Sequence, residues 1–262
     1  MIYPDWQSSS QALSEVWHSA QKLRHFIVTR VSRSDSIRFR VIRSGNLLLL
    51  ILLSLPGILT AGGTENTFLF HEDFQKPLGS KWQHVKFHEP TDYRTVADGS
   101  NACLMAFAKG HCSAYATKVN IPSQPDITCS WRWKIDQCPQ GGSDDNIATF
   151  DHTARVLIVF DTWIGTPRSI NYVWANTTQK NGTFDHPFSG RTKFIAVQTG
   201  NKNAGGWVTE QRDVQKDWSL LFGDEPMPKI VAVGVFTDSH STKQPVKAWY
   251  RDLVIAKLPP KP

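Results

Sequence analysis

From Phe68 onward the chain is a succession of short, strand-like runs, each cut off by a turn signal. That rhythm limits the folds open to it more than any other feature. The runs are Phe68 to Phe74, Ala102 to Ala108, Ala114 to Ile121, Ile127 to Ile135, Ala154 to Phe160, Ile170 to Ala175, Lys193 to Thr199, Trp207 to Asp213, Lys229 to Thr237 and Val246 to Ile255. Between them lie Pro77-Leu78-Gly79, Asp98-Gly99, Pro122 to Pro125, Pro139 to Gly142, Gly165 to Pro167, Gly200 to Gly206 and Gly223 to Pro228. Strands at this spacing, with almost no helical periodicity, predict an all-β, two-sheet antiparallel sandwich, jelly-roll-like in layout. One short helix is expected, around Val214 to Phe222. Residues 63–258 read as a single domain, and 259–262 as a disordered tail.

The residues before this domain have a different character. Residues 1–46 carry seven Lys/Arg and three Asp/Glu, a net +4 of the whole chain's +6. The basic pI therefore describes this leader rather than the domain, and a nucleic-acid footprint on the folded surface loses its support. Leu47 to Leu59 is an uncharged apolar run followed by Thr60, Ala61, Gly62 and Gly63. It is short for a bilayer span, and with arginines before it and small residues after it, residues 47–62 read as a signal peptide. The expectation is an exported protein, periplasmic or secreted, with an uncleaved N-terminal anchor as the alternative membrane association. Export also makes the four cysteines candidates for disulfides, and Cys103/Cys112 and Cys129/Cys138 are the local pairings. Their spacing resembles no zinc knuckle.

Within the domain, the stretch Asp144 to Asp161 sets an oxygen-rich loop before the most strand-like run. Val156, Ile158 and Phe160 alternate with Arg155, Leu157 and Val159, so both faces of that strand are apolar and must be covered, Arg155 excepted. A guanidinium there needs an anion: Asp144, Asp145 or Asp161 in a structural ion pair, or a bound ligand. The domain also holds Trp82, Trp131, Trp133, Trp163, Trp174, Trp207, Trp218 and Trp249. Most must fill the core of a sandwich. Trp131 and Trp133 share a face, as do Tyr172 and Trp174, which suggests an aromatic platform for sugar rings. A carbohydrate or cell-envelope ligand would then contact Trp133, Trp174, Arg155 and Arg212, if these converge, with Asp144 and Asp145 beside them.

Catalytic signatures are sparse. There is no nucleophile elbow, phosphate loop, zinc-binding helix motif or dinucleotide fingerprint. His71, His84, His88, His111, His152, His186 and His240 are scattered. The remaining enzymatic reading is a glycan-active hydrolase or lyase, with Asp144 or Asp145 paired to Asp161 or Asp238. A purely structural envelope role is a third reading.

The residues also suggest a family. Over Phe68 to Ile255 the chain resembles the bacterial family known as domain of unknown function 3047, in Glu72-Asp73-Phe74, Tyr93-Arg94 with Asp98-Gly99, Trp131-Arg132-Trp133, Asp144-Asp145, Ala154-Arg155-Val156, Phe160-Asp161, Asn171 to Ala175, Arg212-Asp213-Val214, Asp217, Phe222-Gly223, Thr237-Asp238 and Ala248-Trp249-Tyr250. The resemblance implies an exported β-sandwich without an assigned activity or catalytic residues. The strand pattern also resembles carbohydrate-binding jelly rolls. That likeness implies a calcium ion joining acids near the first and last strands, here Glu72, Asp73 and Asp252, whose oxygen-only chemistry suits it.

Overall fold

The computed structural model describes residues 67–161, 165–187 and 189–258; the leader, the apolar run and the tail lie outside the described residues. The chain forms thirteen strands and one α-helix among the described residues. In order these are β1 (Thr67–Glu72), β2 (Trp82–Lys86), β3 (Asp92–Asp98), β4 (Asn101–Lys109), β5 (Cys112–Ile121), β6 (Ile127–Ile135), β7 (Arg155–Phe160), β8 (Arg168–Ala175), β9 (Thr183–His186), β10 (Ser189–Thr199), β11 (Val208–Asp213), α1 (Val214–Phe222), β12 (Ile230–Asp238) and β13 (Pro245–Lys257).

They build two sheets. The first runs β11-β6-β13-β4-β3, with β1 also paired to β13; the second runs β2-β5-β12-β7-β8-β10-β9. The architecture is the all-β sandwich that the strand rhythm predicts, with one departure: β8 and β10 run parallel, Ile195 opposite Tyr172, so the second sheet is mixed. The three strands that the apolar pattern does not reveal, β2, β3 and β9, are all sheet edges. Edge strands are short and polar because an exposed, apolar edge would recruit another chain, and that polarity hides them from a hydrophobic reading.

Alternation decides what enters the core. On β6, Trp131, Trp133 and Ile135 point between the sheets and join Val156, Ile158 and Phe160 of β7, Tyr172 and Trp174 of β8, Ile195 and Val197 of β10, and Tyr250 of β13. β7 is buried throughout, as its sequence requires; Leu157 and Val159, on its other face, pack with Val85, Ala114, Ala232 and Phe236. Helix α1 lies where predicted. Asp213 caps its start by accepting from the Lys216 N–H at 3.1 Å, and Gly223 ends it at φ 76°, a left-handed backbone that glycine adopts without strain. Trp218 carries the helix into the core.

The disulfide expectation is overturned, since all four cysteines are free thiols. Closeness along the chain favours the two local pairings, but the residues between partners form extended strand instead. Cys103 and Cys129 lie near the starts of β4 and β6, whereas Cys112 and Cys138 follow beyond the ends of those strands. At about 3.3 Å per residue the intervening strand holds each pair roughly 20 Å or more apart, where a bridge needs Cα atoms within about 7 Å.

Candidate functional site

Arg155 opens β7 on the face turned away from the sandwich core, and its partner is Asp238 at the end of β12. Phe236 stands directly opposite Arg155 in the β12–β7 register, so Asp238 is the diagonal neighbour on the same face. This corrects the expected pairing with Asp144, Asp145 or Asp161, which were chosen by closeness along the chain. Asp161 instead meets Lys229 at 3.3 Å. The Arg155 guanidinium lies 4.3 Å from the Phe236 ring centre and 5.6 Å from that of Phe194. Beside it the His152 N–H donates to Asp238 at 3.0 Å, and Asp151 accepts the N–H groups of Ser241 at 2.9 Å and Thr242 at 2.5 Å. Burial, together with neighbouring Asp151, pushes the Asp238 carboxyl well up against the pull of Arg155. Asp151, although burial opposes it, is held low by the Thr242 and Ser241 amides. Asp151 is therefore the more acidic of the two carboxyls.

Asp144 is buried and saturated. It accepts from His152 Nε2 at 3.0 Å, from the backbone N–H groups of Asn176, Thr177 and Thr178 at 2.9, 2.9 and 2.6 Å, and from the Thr177 hydroxyl at 3.2 Å. Burial alone would raise this carboxyl, but the His152 hydrogen bond and these amides hold it far below the usual range. Burial lowers His152 to about 4, so at neutral pH it is the uncharged imidazole and donates through Nε2 to the carboxylate. The His152 ring lies among Phe150, Phe184 and Phe194. Asp144 thus pins the turn after β8 to the loop before β7. Asp145 is exposed and, among the described residues, hydrogen-bonds to nearby Ser143.

The other predicted residues are dispersed. Arg212 makes a two-pronged pair with Asp217, at 2.9 and 2.5 Å, and donates to Asn181 at 3.0 Å. Trp133 and Trp174 are 0% and 1% exposed, with ring centres 5.6 Å apart inside the core. Trp174 spends its indole N–H on the Gly200 carbonyl at 2.8 Å. The expected platform is corrected accordingly: these two rings share a face, but that face is the interior, and Arg155 and Arg212 do not join them on one concave surface.

The calcium expectation does not fit either. Glu72 accepts from the Trp82 indole at 3.0 Å and from the Phe74 N–H at 3.2 Å, and Asp73 accepts from the Gln75 N–H at 2.9 Å. Asp252, at φ 51° in the irregular part of β13, is turned toward Arg132 on β6, 3.9 Å away, rather than toward β1. Among the described residues no three His, Cys, Asp or Glu side chains converge as metal ligands.

The fold places a different aromatic surface in reach of solvent, on the outer face of the six-stranded sheet. Because Trp131 and Trp133 point inward, Arg132 and Lys134 point outward; because Ala248 and Tyr250 point inward, Lys247, Trp249 and Arg251 point outward. Trp249 lies directly opposite Lys134 on one side and Met105 on the other, and Met105 lies opposite Arg94. Trp207, one residue before the Val208–Trp133 pair, extends the row across β11. Trp207 and Trp249 are both half-buried. The Lys134 amine lies 5.3 Å from the Trp207 ring centre and 4.5 Å from that of Trp249. The Trp207 indole donates to Asp98 at 2.9 Å, tying the ring down across the sheet. This row was readable in principle. The parity that sends Ala248 and Tyr250 inward sends Trp249 outward with two cations, whereas Trp133 sits between two outward cations and must face in.

Fold and surface together define a two-sheet β-sandwich with a buried polar network at one end and a ridged aromatic face on one sheet. The chain belongs to the family described as protein of unknown function (DUF3047), whose model matches residues 80–254. No curated protein matches the chain. Among solved structures it is similar to the CBM22-1 xylan-binding domain from Paenibacillus barcinonensis Xyn10C, at TM-score 0.40 and 8% identity over 75% of this chain and 97% of that one. It is similar to the xyloglucanase domain of NopAA from Sinorhizobium fredii, at TM-score 0.41 and 10% identity over 72% and 99%. The K3 cleaved adhesin domain of Lys-gingipain from Porphyromonas gingivalis scores 0.40 at 11% identity over 73% and 100%. Likeness at this level says nothing about what this chain binds.

Proposed function

We propose that this protein is a non-catalytic, exported β-sandwich that binds carbohydrate on the outer face of its six-stranded sheet. The observation that carries the reading is the row Trp207–Lys134–Trp249. It sets two half-buried indoles on one sheet face, separated by the single strand β6, so about 9–10 Å apart. Indole faces pack against the apolar faces of sugar rings, and this separation suits neighbouring rings of a glycan chain laid across the strands. Lys134 and Arg94 border the row and supply hydroxyl partners.

The acids of the Asp144/Asp145 loop do not support hydrolysis. The Asp144 lone pairs are occupied by six donors from His152, Asn176, Thr177 and Thr178, and Asp145 is a surface residue. The buried carboxyls Asp151 and Asp238 are likewise engaged, Asp151 by the Ser241 and Thr242 amides and Asp238 by Arg155 and the His152 backbone N–H.

Affinity electrophoresis of the purified protein through gels containing soluble polysaccharides tests the proposal. Retardation by at least one glycan, lost in Trp249→Ala and in Trp207→Ala while both variants melt cooperatively, is expected. Unchanged retardation in both variants would remove the platform, and no retardation by any glycan would remove carbohydrate binding.

A further inference from the structure

The same face carries a charge arrangement that stacking alone does not explain. Arg132 of β6 and Arg251 of β13 are directly opposed in the antiparallel register, on the outer side of the sheet. Like charges in directly opposed cross-strand positions repel and weaken the pairing. Lys134 lies two residues further along β6, and all three cations converge on one ring. The Arg251 and Arg132 guanidinium carbons are 4.7 and 5.7 Å from the Trp207 ring centre, with the Lys134 amine at 5.3 Å.

The carboxylates nearby are too few to neutralise them. Asp98 serves Arg251 at 2.8 Å and Lys134 at 3.8 Å, and its remaining capacity takes the Trp207 indole N–H. Arg251 is further held by the carbonyls of Ala102 at 3.0 Å and Asp98 at 3.1 Å, which fixes its fork. Among the described residues Arg132 pairs with Asp252 alone, 3.9 Å away; both side chains are about 40% exposed, so solvent screens the pair and it holds Arg132 weakly. Arg132 is thus an available guanidinium at the edge of an aromatic row, beside two fixed cations and with Lys247 exposed on the same strand face.

We propose that the bound glycan is acidic, a polysaccharide bearing ring carboxylates, and that Arg132 receives one of those carboxylates while a sugar ring stacks on the Trp207–Trp249 row. The inference rests on the carbohydrate reading above and names its ligand class. A uronate presents both features needed: an apolar ring face for the indole, and a planar carboxylate at the ring edge that matches the guanidinium fork. An anion at Arg132 also relieves the repulsion between Arg132 and Arg251. Because Arg132 is open to solvent, the carboxylate contact is sensitive to salt, whereas stacking is not.

The test measures binding of the purified protein to polygalacturonate, to dextran sulfate and to a neutral galactan, at low and at high salt. Polygalacturonate is expected to bind roughly tenfold or more tightly than galactan at low salt, with the advantage shrinking at high salt. Arg132→Gln removes that advantage and leaves galactan binding in place. Arg132→Lys keeps the charge but not the fork, and recovers only part of the advantage. Trp249→Ala weakens both ligands, and Lys118→Gln, an equal charge change on the opposite sheet, changes neither. Equal affinity for polygalacturonate and galactan overturns the acidic preference while leaving carbohydrate binding intact. Tighter binding to dextran sulfate than to polygalacturonate, or an Arg132→Gln variant that keeps the preference, overturns the carboxylate assignment. Failure to bind any of the three defeats both this inference and the reading beneath it.

Discussion

Arg155 and Asp238, 83 positions apart in the chain, form a buried ion pair because β12 and β7 set them on the same face one diagonal step apart. Both side chains are under a tenth exposed, and the guanidinium is enclosed by Phe236, Phe194 and Phe150. The pair sits at the end of the seven-stranded sheet, away from the tryptophan row of the other sheet, so its loss bears on stability and leaves the ligand face untouched.

Removing one partner of such a pair strands a charge in an apolar setting. Asp238→Ala is expected to cost roughly 3–5 kcal/mol in urea unfolding, because Arg155 then keeps its charge without a counterion. The double variant Arg155→Met/Asp238→Leu replaces the pair with apolar side chains, and should recover most of that loss. A double variant no more stable than Asp238→Ala would show that the pair itself, rather than the stranded charge, carries the energy.

Acidification should weaken the fold through His152. Its folded pKa is lowered to about 4 from an ordinary 6.5, so between those values the unfolded chain binds the proton more readily. The stability it contributes is present above 6.5 and is lost as pH falls toward 4. Between pH 7 and pH 4.5 this amounts to about 2–3 kcal/mol. Asp238, whose pKa is raised, contributes with the opposite sign, so the comparison to make is between wild type and His152→Gln, which retains a donor for Asp144. The variant should show a visibly flatter stability profile over that window; identical profiles would assign the slope to other groups.

The two kinds of tryptophan should separate by what their loss does. Trp133→Ala or Trp174→Ala opens a cavity between the sheets and should lower stability by roughly 3–5 kcal/mol, in a protein that binds glycan as before whenever it is folded. Trp249→Ala, on the half-exposed outer face, should cost clearly less stability and abolish retention. Loss of binding in a well-folded Trp174→Ala variant would contradict the assignment of the surface row.

The cysteines should behave as four buried or half-buried thiols. Burial pushes Cys138 up to about 12 and raises Cys103, Cys112 and Cys129 as well, so the reactive thiolate is scarce. Mass spectrometry of protein alkylated in denaturant without reductant should count four modified thiols. Alkylation of the native protein should be slow, and reductant should leave the melting temperature unchanged. A mass indicating any intramolecular bridge would contradict the strand geometry that separates the pairs.

Much of this protein is written locally. The alternation along Ile127 to Ile135, the doubly apolar run after Arg155, and the turn residues between runs establish an all-β sandwich, and Asp213 and Gly223 mark the only α-helix among the described residues. These properties depend on residues within a few positions of one another, so the chain states them without reference to anything distant. Tertiary structure alone decided which residues became neighbours across strands and sheets. It set Trp133 against Trp174, Trp207 beside Trp249, and Arg155 against Asp238 rather than Asp144, because strand order and register are set by the collective burial of two sheets. Cysteines with eight residues between them were kept apart for the same reason: extended backbone separates residues that are close in the chain, while pairing of strands joins residues that are far apart in it.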